Sequence, residues 1–413
     1  MPMLVPVLKR LIRQGDLTLI LPDGRAERFG GPPLPGVGPV TIRIHDSATA
    51  RRMALRPGLA TGEAYMNGRL TIEHGTLADF LAIGCDNLER RERERPALRF
   101  LLRAAGFFDQ INPAHRSRRN VAHHYDLTGR LYDLFLDADR QYSCAYFATA
   151  QTGLDAAQEA KKRHIAAKLR LADGQRVLDI GCGWGGLALT IARLADVQVL
   201  GITLSAEQLD TARRRAAEAG LDGRVRFELV DYRHVEGHFD RIVSVGMFEH
   251  VGRAHYREFF SRVGDLLTPD GIALLHSIGR AHGPGATNPW IRKYIFPGGY
   301  SPALSEVLPA VERAGLWITD IEILRLHYAR TLVEWRHRFA AHRTEIAALT
   351  DERFCRMWEF YLAGAEMAFR HQGHMVFQMQ LTRDQMAAPL TRDYMIDAER
   401  AMAAAGMRAR AAE

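Results

Sequence analysis

Three groups of residues in this chain are of types that do chemistry. The first is a glycine loop, VLDIGCGWGG (177–186), with glycines at 181, 183, 185 and 186. Glycine permits positive φ and lets a ligand approach the backbone closely, so such a loop after an apolar run reads as a cofactor cradle. Alone it is a weak signal, because dinucleotide sites use a similar one. The second group is Glu249, in VSVGMFEHVG (243–252), with His276, in LLHSIG (274–279). Either residue by itself reads as structural. Two titratable groups at the ends of adjacent strands point instead to a functional site. The third is QYSCAYF (141–147), where Cys144 sits among aromatics and is open to reading as a nucleophile or as a packed thiol.

The elements that must position these residues follow from the pattern around them. From about residue 170, apolar runs alternate with helical stretches, the sign of a parallel sheet covered on both faces. RVLDIG (176–181), VLGITL (199–204), VRFELVD (225–231), DRIVSVGM (240–247) and GIALLHSIG (271–279) read as five buried strands. Helices are expected at about 185–195, 205–219 and 254–266, and the final 90 residues read as mostly helical. Before residue 85, strand-like runs at 17–21 and 40–44 mix with short helices around 48–56 and 76–84. The run ERRERER (89–95) leads into PALRFLLRAAGFF (96–108), which reads either as a linker with a packing helix or as a helix lying on an anionic bilayer. LKRLIRQ (8–14) carries the same two readings.

The whole-chain totals narrow the setting. At 413 residues two domains are expected, and 47% hydrophobic residues with 25% charged is a core-forming composition. The expected division is 1–115, an N-terminal domain with a linker, 116–395, the domain that holds the chemistry-bearing motifs, and a tail, 396–413. The four cysteines (Cys85, Cys144, Cys182, Cys355) show no CxxC pairing, which suits a reducing compartment and neither a disulfide framework nor a zinc site. No apolar run is long enough to span a bilayer, and the N-terminus lacks the charge order of a secretory signal. A cytoplasmic location is expected. Residues 1–120 hold 19 Lys and Arg against 12 Asp and Glu, while the remaining 293 hold 36 of each. The net +7 therefore lies in the N-terminal third and points to an anionic partner there, a phospholipid surface or nucleic acid.

The loop spacing D-x-G-x-G-x-G, with Asp179 on the strand itself, resembles the S-adenosylmethionine-dependent methyltransferases more than the nicotinamide enzymes. Asp231 closes the third strand, where that superfamily recognises adenine. The second strand ends in Thr203 with no carboxylate for the ribose, leaving Gln208 as a substitute. Ser205-Ala206-Glu207-Gln208 is also a capping-box spacing, so Gln208 can equally serve a helix end. Cys182 and Trp184 read as packing residues. The fourth strand lacks the Asn/Asp-Pro-Pro-aromatic run of enzymes that methylate nucleic-acid amines, and no carboxylate cluster suggests a metal. Nucleic acid is therefore not expected as a substrate.

A longer set of motifs is more specific. HHYDLTGRLYDLFLD (123–137), QYSCAYF, VLDIGCGWGG, GITLSAEQ (201–208), VSVGMFEHVG, LLHSIG, WIRKYIFPGG (290–299) and HYARTLVEW (327–335) together resemble cyclopropane-fatty-acid-phospholipid synthase, in that family's order. Phe147 and Tyr300-Ser301 depart from the family's usual residues. The resemblance implies an α/β fold with a doubly wound, seven-stranded methyltransferase-type sheet, a helical lid or C-terminal extension, and a small α+β N-terminal domain. It implies addition of a methylene from S-adenosylmethionine to the double bond of an unsaturated phospholipid acyl chain. A bound bicarbonate ion is the implied base, held by Glu249, His276 and Tyr328 with the backbone amides of Cys144 and Ile278. A carboxyl and a bicarbonate can share a proton, and His276 could add positive charge. The implied cofactor residues are Tyr142, Ser143, Asp179, Gly181, Gly183, Gly185, Thr203, Leu204, Gln208, Asp231 and Tyr232. Cys144 then serves through its N–H, since alkene methylation offers a thiol no acyl centre to attack. Peripheral attachment to the inner face of the membrane is expected, and a homodimer would suit such an enzyme. The alternatives are an acyl C-methyltransferase giving a methyl or methylene branch and, from another class, a non-catalytic lipid-binding protein.

Overall fold

Short apolar runs with a two-residue burial period build the first sheet. The computed structural model describes residues 3–94 and 129–412, with side chains placed to residue 405. Helix α1 (Leu4–Leu11) is followed by β1 (Asp16–Ile20), β2 (Ala26–Gly30), β3 (Val40–Ile44), α2 (Ser47–Leu55), α3 (Pro57–Met66), β4 (Leu70–His74) and α4 (Leu77–Glu94). The strand order is β2-β1-β3-β4, with β1 and β3 parallel and both outer pairings antiparallel. Leu17 and Leu19 of β1 share a core with Val40, Ile42 and Ile44 of β3 and with Leu4 and Val5 of α1. LKRLIRQ thus begins within a helix whose apolar face packs, with Lys9 and Arg10 exposed. Buried Asn87 pins α4 to the turn before β1: its Oδ1 accepts from the amides of Arg13 and Gln14 at 2.8 and 3.0 Å, and its Nδ2 donates to the carbonyls of Gln14 and Ile83. Residues 89–94 continue α4, supported by i,i+4 pairs Asp86–Arg90 and Glu89–Arg93. The segments 96–108, 112–120 and 123–128 lie outside the described residues.

The second sheet carries the chemistry. Its elements are α5 (Gly129–Phe135), α6 (Leu154–Leu169), β5 (Arg176–Ile180), α7 (Gly186–Leu194), β6 (Gln198–Thr203), α8 (Ala206–Glu218), β7 (Val225–Leu229), β8 (Phe239–Val245), α9 (Tyr256–Leu266) and β9 (Leu267–Arg280). There follow α10 (Pro289–Tyr294), α11 (Leu304–Arg313), β10 (Trp317–Ile323), α12 (His327–Ala341), α13 (Arg343–Leu349), α14 (Glu352–His371), β11 (His374–Thr382) and α15 (Asp393–Ala412). The order is β10-β11-β9-β8-β5-β6-β7, with β5 through β9 paired in parallel and β10 antiparallel to β11. This is the expected doubly wound seven-stranded sheet, and the five expected strands are β5 to β9, but β7 is not buried as expected: it lies at the sheet edge, with Arg226, Glu228 and Leu229 exposed. One face buries Leu178, Ile180, Phe248, Phe259 and Phe377, and the other buries Val177, Ile191, Val199, Leu209 and Phe227.

Two features differ from the linear reading. The last 90 residues are mostly helical, as expected, but an unexpected strand, β11, runs through them, with Gln378 and Gln380 wholly buried in it. Two buried amides in an apolar run break the alternation that marks a strand. The chain also divides into units that are discontinuous in sequence. One comprises 1–109, 285–297 and 329–374, and the other 110–284, 298–328 and 375–413, whereas the linear division cuts at 115 and 395.

Within the first unit, Gly62 of α3 lies against the buried indole of Trp290, and a Cβ added there would stand 2.5 Å from Nε1. Helix propensity favours Gly62→Ala by about 1 kcal/mol. Overpacking opposes it by about 1–3 kcal/mol. The overlap is with a rigid ring, so overpacking wins, and urea unfolding should show the variant less stable than the wild type.

Candidate active site

The glycine loop sits at the carboxyl end of β5, where parallel sheets bind ligands. Gly181 has φ 83°, and a Cβ there would meet Met247 at 2.9 Å. Gly185 has φ 82° and begins α7, where a Cβ would stand 2.7 Å from the Phe227 ring. The loop opens on a cleft with about 1210 Å³ of empty space, part of it open to solvent. Every residue expected at the cofactor except Gly185 lines it: Tyr142, Ser143, Asp179, Gly181, Gly183, Thr203, Leu204, Gln208, Asp231 and Tyr232. Gly185 instead serves the turn and the close packing of α7.

Several of these residues have roles the sequence left open. Ser205 caps α8 by accepting from the Gln208 amide at 3.3 Å, which is half of a capping box. The other half is absent. The Ser205 amide donates to Thr203 Oγ1 at 3.2 Å, and that hydroxyl donates to Gln208 Oε1 at 2.8 Å. Gln208 therefore turns its side chain to the cleft rather than back to the cap. Asp231 is held by the guanidinium of Arg233, at 2.8 Å to Oδ1 and 2.6 Å to Oδ2, which keeps its carboxyl below the usual range against the effect of burial. Asp179 is different. Its Oδ2 is buried with no hydrogen-bond partner among the described residues, and burial pushes its carboxyl up to about 7. Trp184 donates to Glu207 at 3.0 Å and Cys182 is buried, both as packing residues of the cleft wall.

None of the five residues expected around an anion lines this cleft, but Glu249 and Cys144 adjoin its wall. Met247, His250 and Val251 of the lining flank Glu249, and Ser143 precedes Cys144. Glu249 lies in a short 3₁₀ turn after β8, buried, and its Oε1 accepts from the Ile278 amide of β9 at 2.7 Å. The Ile278 N–H expected at an anion thus binds Glu249 itself. Glu249 Oε2 is buried without a hydrogen-bond partner among the described residues, and burial raises the carboxyl to about 7 despite the Ile278 bond. His276 shifts the other way. Burial, then the charges of Lys161 and Lys168, hold its imidazole neutral, so it is not the source of positive charge. Cys144 is buried, with Sγ near the Ala145 carbonyl at 3.4 Å. Tyr328 is buried at the start of α12, beside His327, whose Nδ1 accepts from the Phe147 amide at 2.9 Å.

Sequence reasoning missed the residues that hold QYSCAYF in place. Gln158 of α6, wholly buried, donates to the carbonyls of Gln141 and Ser143 at 3.1 and 3.0 Å. Lys161, one turn on, donates to Gln141 Oε1 and to Ser143 Oγ at 3.0 Å. Burial lowers the Lys161 ammonium to about 8, with Asp137 acting against the fall, so it remains charged at neutral pH. Tyr142 packs edge-on against Tyr132 and Phe135 of α5.

Residues 113–379 match the family described as mycolic acid cyclopropane synthetase. The chain belongs to that family. This cyclopropane synthetase family member is 39% identical over 350 residues to the cyclopropane-fatty-acyl-phospholipid synthase of Escherichia coli K12, covering 84% of this chain and 89% of that protein. It is 38% identical over 365 residues to a probable fatty acid methyltransferase of Pseudomonas putida, covering 86% and 88%. Among solved structures, the mycolic acid cyclopropane synthase CmaA1 complexed with SAH and CTAB aligns at 34% identity and a TM-score of 0.61, over 66% of this chain and 99% of that one.

Glu249 generates a pH-dependent prediction. Its folded carboxyl titrates near 7, above its ordinary 4.5, so the folded state holds the proton more tightly than the unfolded. Stability from this group is full below about 4.5 and is lost as pH rises towards 7. Glu249→Gln keeps an acceptor for the Ile278 amide and removes the titration. At roughly 1.4 kcal/mol per pH unit, the variant should gain roughly 2–4 kcal/mol over wild type at pH 8 and nothing at pH 4. Urea titrations at both pH values check this, and the Asp179 contribution cancels in the comparison.

Proposed function

We propose that this S-adenosylmethionine-dependent C-methyltransferase adds a methylene to the double bond of an acyl chain in membrane phospholipid, closing a cyclopropane ring. The observation that carries the reading is Glu249. A buried carboxyl with one oxygen on a backbone amide and the other without a hydrogen-bond partner among the described residues is built to face a further polar group. It adjoins a glycine-floored cleft whose lining fits an adenosyl cofactor, with Asp179 offering a second such oxygen. The E. coli relative, similar over most of both chains, is named for this reaction on phospholipid.

The cofactor, when bound, supplies an electrophilic methyl. A C–C bond would form to one alkene carbon as the methyl–sulfur bond breaks and its electron pair leaves with a neutral thioether, and positive charge would develop on the other alkene carbon. Loss of a proton from the added methyl then closes the ring. An alkene is a feeble nucleophile, so the chain's residues must hold the partners in attack geometry. Gln158 fixes the segment beside the cleft through the carbonyls of Gln141 and Ser143, and Lys161 through their side chains. Glu249, titrating near 7, can hold or share a proton with a bicarbonate acting as base, and neutral His276 can donate to it. Tyr328 and the Cys144 amide would complete that set. The basic N-terminal third suits an anionic bilayer, which would place the enzyme on the inner face of the membrane. A homodimer remains part of the proposal.

A second reading has its own support in the Pseudomonas putida relative, named as a fatty acid methyltransferase. There loss of a proton from the methyl-bearing carbon would leave a methyl-branched alkene, and a 1,2-hydride shift followed by loss of a methyl proton would leave a methylene branch. Incubation with S-adenosylmethionine and vesicles of monounsaturated anionic phospholipid, followed by mass spectrometry, separates the two. A gain of one CH2 with loss of the double bond is expected. A gain with the double bond retained favours the branched product, and no gain on phospholipid sinks both. Cys144→Ser should keep most of the turnover in this assay, since the residue serves through its backbone. Near-total loss in a folded variant would return the thiol to consideration as a nucleophile.

A further inference from the structure

A chain of polar groups runs from His276 through the interior of the second unit. Gln378 Nε2 lies 3.1 Å from His276 Nδ1, and Gln378 Oε1 accepts from Lys168 Nζ at 2.7 Å. Lys168 also donates to Glu322 Oε2, which lies 2.6 Å from His164 Nε2, and His164 Nδ1 lies 2.8 Å from Glu399 Oε2. Lys168, Gln378 and His276 are all buried, and no loop-borne water path is needed to connect them.

The donor and acceptor roles along this chain leave one solution. An ammonium has three donors and no acceptor. Glu322, held down to about 2 by its bonds to His164 and Lys168 against burial, is a carboxylate, and its charge and hydrogen bond oppose the fall that burial imposes on the Lys168 ammonium. His164 meets a carboxylate on each ring nitrogen, so both are donors and the ring is an imidazolium, and these bonds raise its affinity for protons. Lys168 therefore fixes the Gln378 amide with oxygen towards itself and NH2 towards His276. An N–H aimed at Nδ1 requires a lone pair there. A neutral imidazole with a lone pair on Nδ1 carries its proton on Nε2.

We infer that Lys168 and Gln378 are positioning residues that hold His276 as the neutral Nε2–H tautomer, a donor able to recognise an anion in the reaction. The inference deepens the proposed function and rests on it for the role of His276, while the tautomer rests on the bond chain alone. It explains why two costly buried groups stand behind the site. A histidine between a lone-pair-seeking donor and an anion is set in its ring orientation and its proton before any ligand arrives. Lys161 and Lys168 face His276 from α6, with His164 and Glu322 further along the chain, and the two lysines oppose a second proton on the ring.

The test is the nitrogen NMR spectrum of the full-length protein labelled with [15N]histidine, with His276 assigned by the signal lost in His276→Gln. His276 Nδ1 should resonate as an unprotonated nitrogen and Nε2 as a protonated one from pH 6 to 9. A protonated Nδ1 in the wild type would overturn the inference. Gln378→Glu, nearly isosteric, puts a carboxylate where the amide N–H stood. It should move the proton to Nδ1 and lower turnover about tenfold or more, the scale seen for outer partners of an active-site imidazole. A switched tautomer with unchanged turnover would overturn the positioning role. The spectrum is read on the protein alone. It therefore decides the tautomer even where the wild type leaves vesicle lipid unchanged, an outcome that counts against the proposed function instead.

Discussion

A helix with a polar buried face holds this site together. Gln158, Lys161, Lys162, His164 and Lys168 of α6 are all buried, so each must find its partners inside the protein. Those partners are the site's own framework: Gln141 and Ser143 for Lys161, Asp139 for Lys162, and Glu322 and Gln378 for Lys168. A buried cation left without a partner is strongly destabilising, so the segment at 139–143, strand β10 and strand β11 must be in place together. One element thereby sets both the turn beside the cleft and the imidazole behind it.

The same burial separates the acids from the bases. Asp179 and Glu249 are driven towards neutrality near pH 7, and His276 is driven to its neutral form by burial and nearby lysines. Positive charge in this region is carried by Lys161, Lys168 and His164. The site thus offers a carboxyl that can exchange a proton near physiological pH and a histidine that burial and nearby lysines favour in its neutral form. That division suits a reaction in which positive charge develops on a hydrocarbon and a weak carbon acid then loses a proton. A second cation at His276 would work against it.

Much of this was legible from the sequence, and the reasons are local. Strands β5, β6, β8 and β9 are largely apolar runs and β7 alternates apolar with charged residues, each ending near a glycine or a polar residue, so their limits fall within a residue or two of those expected, except at the start of β9. The loop at 181–186 is marked by glycines whose positive φ the structure bears out at Gly181, Gly183 and Gly185. β11 was hidden because Gln378 and Gln380 interrupt its apolar pattern. α6 was hidden more thoroughly, since AAQEAKKRH has the composition of a solvated helix face and nothing local says that it is buried.

The sequence by itself determined the alternating strand–helix pattern and the residue types at the carboxyl ends of the strands, because apolar periodicity and glycine spacing act over a few residues, and its set of motifs carried the resemblance to the family. Only the tertiary structure decided which of those groups titrate and which are neutral. Burial and charge–charge contacts arise between residues far apart in the chain, such as Lys168 with Gln378 and Glu249 with Ile278. It also decided that the Ile278 amide meets Glu249, and that Gln208 faces the cleft while its own amide meets the cap. No spacing rule carries such pairings, since each depends on where the sheet brings two separate segments side by side.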